Sequence, residues 1–329
     1  MCILSIIVPS YNVEKYLKKN LSSFDDERFN NQLEVLIVND GSTDSTERVA
    51  QEFVEKNPSV FKLINKKNGG HGSAVNSGIV YASGKYLRVV DGDDWVNTEN
   101  LLKFLEYLKS ADFDLICDVK REIDFRTHNS LLFPLPKCVE KNKVYTISEI
   151  ASSKELSSYI MMHTVTIKTE ILKKNYISLL EHTFYVDYEY IVKSVCCCNT
   201  INFVDIEIYQ YLVGNINQSV NYLNYANRYY QHYRVLKVLL DYELKTSDAF
   251  NFYSIKLISL INTHYKILLI MMPNKNEGRK LAKEFNKELE DNYKFFYVKT
   301  LKRYKILSLL NRLHIDFNLF NFINSVRRK

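Results

Sequence analysis

Apolar strand-length runs alternate with amphipathic helix-length stretches through residues 3–119, and few folds accept that pattern. Strand-like runs fall at Ile3–Val8, Leu33–Val38, Phe61–Ile64, Tyr86–Val90 and Phe113–Val119. Between them, helical spacing runs from Val13 to Phe24, onward from Asp44, from Gly72 to Ala82, and from Thr98 to Lys109. Asp44 followed by Glu47 predicts a capping box on the second helix, and Thr98 is the expected cap of the fourth. Strands this apolar have no face to give to water, so the expected sheet is mostly parallel and covered by helices on both sides. The fold class is α/β. In such sheets ligands bind beyond the carboxyl ends of the strands. Three polar clusters stand at such ends: Tyr11-Asn12, Asp40-Gly41-Ser42 and Asp91 to Asp94.

The last of these, Asp91-Gly92-Asp93-Asp94-Trp95, crowds three carboxylates where a strand runs out into a loop. Carboxylates that close repel one another and shift each other's pKa values. A hard divalent cation relieves this, because it takes oxygen ligands and keeps positions open for phosphate oxygens. An extended backbone would point Asp91 and Asp93 to one side. Gly92, lacking a side chain, would let a ligand come close. The simpler alternative is a solvated acidic turn that caps the next helix.

Composition narrows the classes. The chain has 329 residues and 46% hydrophobic content, enough for one large or two ordinary packed domains. The six cysteines show no C-x-x-C spacing. The adjacent Cys196, Cys197 and Cys198 would point apart on a helix, so all six read as small buried hydrophobes in a reducing cytosol. Met1-Cys2-Ile3-Leu4 leads straight into a strand, without the marks of a signal peptide. The longest apolar run, Ile267 to Met272, is far short of the ~20 residues a spanning helix needs. The net charge is +6, and residues 297–329 alone carry eight basic residues against Asp316. Basic character confined to the tail, with no recognised motif, argues against nucleic acid as a partner.

After residue 120 the pattern loosens. A loop or hairpin is expected over 120–145, a helix over 147–160, and a strand from His163 to Lys168. Asp187 to Cys198 reads as helix, with strands at Ile201–Val204 and Ile208–Val213. From Tyr222 onward the spacing is helical throughout. The expected boundary lies near 220, giving regions 1–220 and 221–329.

Ile6-Ile7-Val8-Pro9-Ser10-Tyr11-Asn12, Val38-Asn39-Asp40-Gly41-Ser42-Thr43-Asp44, Asn76-Ser77-Gly78 and Asp91-Gly92-Asp93-Asp94 resemble, in order and spacing, the motifs of family 2 glycosyltransferases. The resemblance implies a GT-A, Rossmann-like fold and transfer of a sugar from a nucleotide-diphosphate donor, very often a UDP-sugar. It is strong over 3–119, weaker to 220, and does not cover the helical tail. It implies that Pro9 and Tyr11 line the nucleobase pocket and that Asp40 accepts a hydrogen bond from the base. Asn12, Gly41, Ser42, Asn68, His71, Asn76 and Gly92 complete the donor site. Asp91 would face the ribose or sugar, and Asp93, with Asp91, would hold Mn²⁺ or Mg²⁺ against the diphosphate. Asp94 and Trp95 would contact acceptor or diphosphate. Many members have arginine where this chain has Val75, so His71, Lys66 and Lys67 are candidates to replace its contact.

Inverting transfer needs a base to take the proton of the acceptor hydroxyl. The family places it as an aspartate at the start of a helix, here Asp187, although Val186 stands where glutamate is usual. Its simpler role is to cap that helix; Glu189 is the fallback base. His163 lies on the acceptor side or is a buried structural histidine. Gln218 and Ser219, in a loop written with arginine in many members where Asn215 stands here, could close over donor or acceptor. The Gln-x-x-Arg-Trp signature of processive synthases is absent, which favours transfer of a single sugar. The implied acceptor is a glycan or lipid-linked hydroxyl in capsule or exopolysaccharide synthesis. The implied location is the cytoplasm, peripheral on the inner membrane face through the basic tail. The competing classes are a non-catalytic sugar-nucleotide-binding or scaffold protein and a nucleotidyltransferase. The latter usually has a Gly-rich loop after its first strand, and Pro9-Ser10-Tyr11-Asn12 is not one.

Overall fold

The structure, a computed structural model, describes residues 2–214, 222–316 and 320. The chain divides into two compact units. One comprises Met1–Asn215 with Lys245–Phe252, the other Ile216–Leu244 with Tyr253–Lys329.

In the first unit β1 (Leu4–Ser10), α1 (Glu14–Ser22), β2 (Leu33–Asn39), α2 (Thr46–Lys56), β3 (Phe61–Asn65), α3 (His71–Tyr81) and β4 (Tyr86–Val89) alternate as expected. There follow β5 (Trp95–Val96), α4 (Thr98–Ser110), β6 (Leu115–Asp124), β7 (Ser130–Phe133) and β8 (Val144–Tyr145). Then come α5 (Ile147–Ser152), α6 (Lys154–Tyr159), β9 (Val165–Lys168), α7 (Thr169–Lys174), α8 (Val186–Val195) and β10 (Ile201–Val213). The strand order is β3-β2-β1-β4-β9-β6-β10-β5, with β7 on β6 and β8 on β10. β1 to β4 pair in parallel, but β9 lies antiparallel between β4 and β6. The sheet is therefore mixed. β9 follows β8 through α5 and α6 and, like β8, runs against the direction of the other long strands.

β1 and β2 are buried at all seven positions each, which their apolar composition requires. Ser5 of β1 and Glu34 of β2 satisfy each other across the pair: Ser5 donates to Glu34 Oε1 at 2.6 Å, and Lys62 donates to Glu34 Oε2 at 2.6 Å. The two strands expected at 201–204 and 208–213 are one, β10, with register shifts around Phe203, Glu207 and Tyr209 against β6. The capping box on α2 does not form, because the first turns of α1 and α2 cap each other. The Asp44 carboxylate accepts the Glu14 N–H at 3.2 Å, and the Glu14 carboxylate accepts the Ser45 N–H at 2.8 Å. Glu47 bonds Asn65 instead. α4 is capped by Asn97, while Thr98 donates to the Ser23 carbonyl. Of the cysteines, Cys117, Cys196 and Cys198 are buried as expected, but Cys138 is exposed.

The second unit is helical: α9 (Tyr222–Asn227), α10 (Tyr229–Leu240), the run of α11 (Phe250–Lys266) beyond Phe252, a π-turn (Ile267–Met271), α12 (Lys275–Asn292) and α13 (Lys294–Arg312). The long apolar run is the buried π-turn. Among the described residues no helix is long and apolar enough to cross a membrane.

Candidate active site

β4 ends at Val89 and the chain soon turns back. The Asp94 N–H donates to the Asp91 carbonyl at 3.0 Å, so the acidic stretch is a tight turn and not the extended backbone expected. Asn20, buried on α1, donates its amide to the Asp91 and Asp94 carbonyls at 3.0 and 2.8 Å. A Cβ on Gly92 would lie 3.0 Å from the Pro9 carbonyl oxygen and 3.1 Å from Val13. Gly92 thus lets the turn rest closely against the buried end of β1.

Asp94 also faces inward, only 2% exposed. Its Oδ2 accepts from the Tyr209 hydroxyl at 2.6 Å and its Oδ1 from the Leu212 N–H at 2.8 Å. The same hydroxyl accepts the Asp91 N–H at 3.2 Å. Burial, then the charges of Asp93 and Asp91, push the Asp94 pKa well up despite those donors. These bonds tie the turn to β10. Tyr209→Phe should leave Asp94 Oδ2 and the Asp91 N–H unpaired at a cost of roughly 1–3 kcal/mol. Urea unfolding measures this, and an unchanged midpoint would contradict the tie.

Asp91 faces two histidines. Its Oδ1 is 2.9 Å from His71 Nε2 and its Oδ2 is 3.9 Å from His163 Nε2. Burial would raise its pKa, but the His71 bond and the two imidazoles outweigh that and hold it low. Burial likewise works against His71, and the Asp91 bond with the charges of Asp91, Asp187 and Asp93 raises it. For His163 burial wins, with help from Lys120 and Arg88 against Asp91, and its pKa falls to about 4. It is neutral at pH 7, packed between Tyr209 and Tyr211 at centroid distances of 5.0 and 4.3 Å. Its Nδ1 is buried without a partner. Burial, then Asp91, raises the Asp93 pKa to about 6 against the pull of its own N–H and of His71.

Ligand atoms of Asp91, Asp94 and His163 lie within 4.8 Å of one another, as one ion requires. The hydrogen bonds favour a different emphasis, since both Asp94 oxygens already accept from β10. Carboxylate oxygens beside a neutral imidazole suit Mg²⁺ or Mn²⁺.

The loops after β1 and β2 form the adjoining wall. Tyr11 is 50% exposed. Asn12 (φ 52°) donates its N–H to Ser42 Oγ at 3.1 Å and accepts the Thr43 N–H at 2.8 Å. Gly41 has φ 71°, and a Cβ there would meet the Asn68 nitrogen at 2.9 Å. Asn68 donates to the Asp40 carbonyl at 2.9 Å. Asp40 is 2% exposed, and its carboxylate accepts from Lys66 at 2.7 Å, from Gly69 N–H at 3.0 Å and from Gly70 N–H at 2.7 Å. Those bonds hold the 66–70 loop, and they engage Lys66 as well. Asn76 exchanges two hydrogen bonds with the Leu179 backbone, at 2.9 and 2.8 Å, and so clamps a neighbouring segment. Val75 is fully buried. Trp95 pairs through β5 with β10, and Lys19 Nζ sits 3.1 Å over its ring.

The clamp continues through Ser73 to Glu181 at 2.8 Å and His182 N–H to the Gly69 carbonyl at 2.5 Å. This segment delivers α8. His182 (φ 48°) and Tyr185 (φ 68°) are left-handed without being glycine, a strain that collects at functional sites. Asp187 sits in the first turn of α8. Burial dominates there, the Tyr188 N–H and His71 pull down, Asp91 pushes up, and the pKa rises to about 6. Asp187 therefore feels the same His71 and Asp91 that feel each other. Glu189 accepts from the Leu180 N–H at 3.0 Å and from Lys193 at 2.6 Å and is 1% exposed, which removes it as a fallback base.

Four supporting residues went unnoticed in the sequence reading: Asn20, Tyr209, Tyr211 and Arg88. Arg88 is fully buried, pairs with buried Asp118, and donates to Thr166 Oγ1 at 3.2 Å and to the His163 carbonyl at 2.5 Å. A charge inside an apolar strand and a Tyr-x-Tyr pair at strand spacing were the available signals. Gln218, Ser219 and Asn215 lie outside the described residues.

A mixed sheet under helices, with this turn beyond β4, is the GT-A fold. It superposes on residues 1–349 of TarS from S. aureus, solved in complex with UDP-GlcNAc, with TM-score 0.61 and 18% identity, covering 96% of this chain and 93% of that one. At that identity the likeness establishes the fold. Residues 5–175 match Glycosyl transferase family 2, and the chain belongs to that family. That family is one of glycosyltransferases, which argues against the nucleotidyltransferase class weighed from sequence. Two relatives come from Bacillus subtilis (strain 168). The uncharacterized glycosyltransferase EpsJ is 32% identical over 150 residues, 45% of this chain and 41% of EpsJ. The minor teichoic acid biosynthesis protein GgaB is 35% identical over 116 residues, 34% of this chain and 13% of GgaB. The match thus spans less than half the length of these relatives.

Proposed function

We propose that this protein transfers a single sugar, with inversion, from a nucleotide-diphosphate sugar to a hydroxyl of a glycan or lipid-linked acceptor in bacterial surface-polysaccharide synthesis. The observation that carries the reading is the grouping of Asp91, Asp93 and neutral His163 at the turn beyond β4, with Asp187 within electrostatic reach of Asp91 and His71. Asp93 and Asp91 would hold Mn²⁺ or Mg²⁺, with His163 alongside, and the cation would neutralise the diphosphate and stabilise the departing nucleotide. His71 keeps Asp91 ionised and in place. Pro9, Tyr11, Asn12 and Ser42 line the nucleobase side, with Asp40 and Asn68 bracing their loops from behind. Asp187 Oδ takes the acceptor proton as the acceptor oxygen bonds to the anomeric carbon and the bond to the diphosphate oxygen breaks on the opposite face. UDP is the favoured nucleotide, since the superposed TarS was solved with UDP-GlcNAc. A surface glycan is the favoured product class, since GgaB is a teichoic acid biosynthesis protein. Such acceptors are met on the cytoplasmic side of the membrane.

Donor hydrolysis and transfer across UDP-, GDP- and dTDP-sugars, with Mn²⁺, Mg²⁺ or EDTA, tests this. The expected outcome is one preferred nucleotide, turnover abolished by EDTA, and a product of inverted anomeric configuration by NMR. A retained configuration, or turnover indifferent to EDTA, would overturn it.

A further inference from the structure

α13 has two faces of opposite fate. Phe296, Thr300, Leu307 and Asn311 are buried within the helical unit. On the other side, five large apolar side chains stand in water: Phe295 (41% exposed), Val298 (61%), Ile306 (43%), Leu309 (57%) and, just past the helix end, Leu313 (62%). At 100° per residue these five fall within an arc of about 80°. The remaining exposed residues of the helix are all cations, Lys294, Lys299, Lys302, Lys305 and Arg312. Lys302 lies inside the apolar arc, and Lys299 and Lys305 flank it. The 19 residues of α13 include no Asp or Glu.

An apolar stripe lined with unlike charges would suit a packing helix. An apolar stripe lined only with cations does not suit a two-fold contact with a second copy, where lysine would meet lysine. It does match a surface that offers apolar depth beneath a layer of negative headgroups. We propose that this face of α13 docks on an anionic bilayer surface. The helix lies in the interface, its apolar arc facing the acyl boundary and its lysines at headgroup level. The charges on α13 are too many for a span, in line with the absence of any spanning helix among the described residues. The inference is independent of the site chemistry above.

Co-sedimentation of the full chain with vesicles of phosphatidylglycerol and phosphatidylcholine in equal parts, against vesicles of phosphatidylcholine alone, is the test. Strong partition onto the anionic vesicles only is expected, weakened by salt. Each lysine near an anionic surface contributes about 1 kcal/mol, or roughly fivefold in partition, so Lys302→Glu/Lys305→Glu should reduce binding roughly 25-fold or more. Ile306→Asp/Leu309→Asp should reduce it at least as much. Both variants should keep the wild-type circular dichroism and donor hydrolysis, which separates lost docking from lost folding or a failed site. Equal partition onto both vesicle types, or wild-type partition by both variants, would overturn the proposal. So would a concentration-dependent dimer in sedimentation velocity that Ile306→Asp/Leu309→Asp abolishes, since the face would then join copies of the chain.

Discussion

Asp187→Asn is expected to lower sugar transfer by about 10²–10⁴-fold while donor binding stays near wild type. The amide keeps the volume of the carboxylate but cannot take a proton. The site gives Asp187 a raised pKa, about 6, mainly through burial. A base with that value is ionised at pH 7 yet still accepts a proton readily. The rate should rise with pH as Asp187 deprotonates and level off above its pKa. The apparent pKa should be no higher than about 6, because any added cation nearby lowers it. Asp187→Asn should remove that limb from whatever rate remains. A variant that loses donor binding together with turnover, or one that keeps turnover, would contradict the assignment.

Asp93→Ala carries the second large effect. A cation at the diphosphate contributes several kcal/mol to the transition state, so its loss should cost on the order of 10³-fold in donor turnover. Unlike Asp187→Asn, this change should weaken nucleotide-diphosphate binding as well. Stability should move the other way. Burial and Asp91 raise the Asp93 pKa to about 6, so in the metal-free fold its ionised form is disfavoured. That penalty is absent at pH 3, grows as pH climbs through the unfolded value of about 4, and is complete above about 6. Asp93→Asn in EDTA should therefore gain about 1–2 kcal/mol at pH 7.5 and little near pH 4. A loss of stability at pH 7.5 would mean that the carboxylate has a protein partner.

The strand–helix alternation from β1 to α4 was legible because each run obeys one period. Apolar strands without a wet face leave a parallel, covered arrangement as the solution. The polar ends of β1, β2 and β4 pointed to one edge for the same reason. The antiparallel β9 was not legible. Val165–Lys168 is a short apolar run whose sequence does not encode the direction from which the chain enters the sheet. The bulged middle of β10 looked like a break because Asp205 and Glu207 interrupt the apolar pattern, and pairing with β6 overrides that gap.

At the site, residue types were legible and their duties were not. Asp40, Asn76, Gly92 and Asp94 sit in the motifs, but their contacts are with the protein itself, to the 66–70 loop, Leu179, Pro9 and Tyr209 respectively. A carboxylate in a motif looks the same in sequence whether it faces a cavity or a tyrosine hydroxyl. The supports come from partners distant in the chain: Asn20 reaches the turn from 71 residues away and Tyr209 from 118. Periodicity carries no trace of such pairings.

Calorimetric titration of UDP into the full chain, in Mn²⁺ and then in EDTA, for wild type and Asp93→Ala, tests the central claim most directly. The claim is that Asp91 and Asp93 join a diphosphate to the protein through a cation. Wild type should bind roughly tenfold or more tightly with Mn²⁺ than with EDTA, and Asp93→Ala should bind equally weakly in both. Equal wild-type affinity in the two buffers, or a Mn²⁺ enhancement that survives Asp93→Ala, would contradict it.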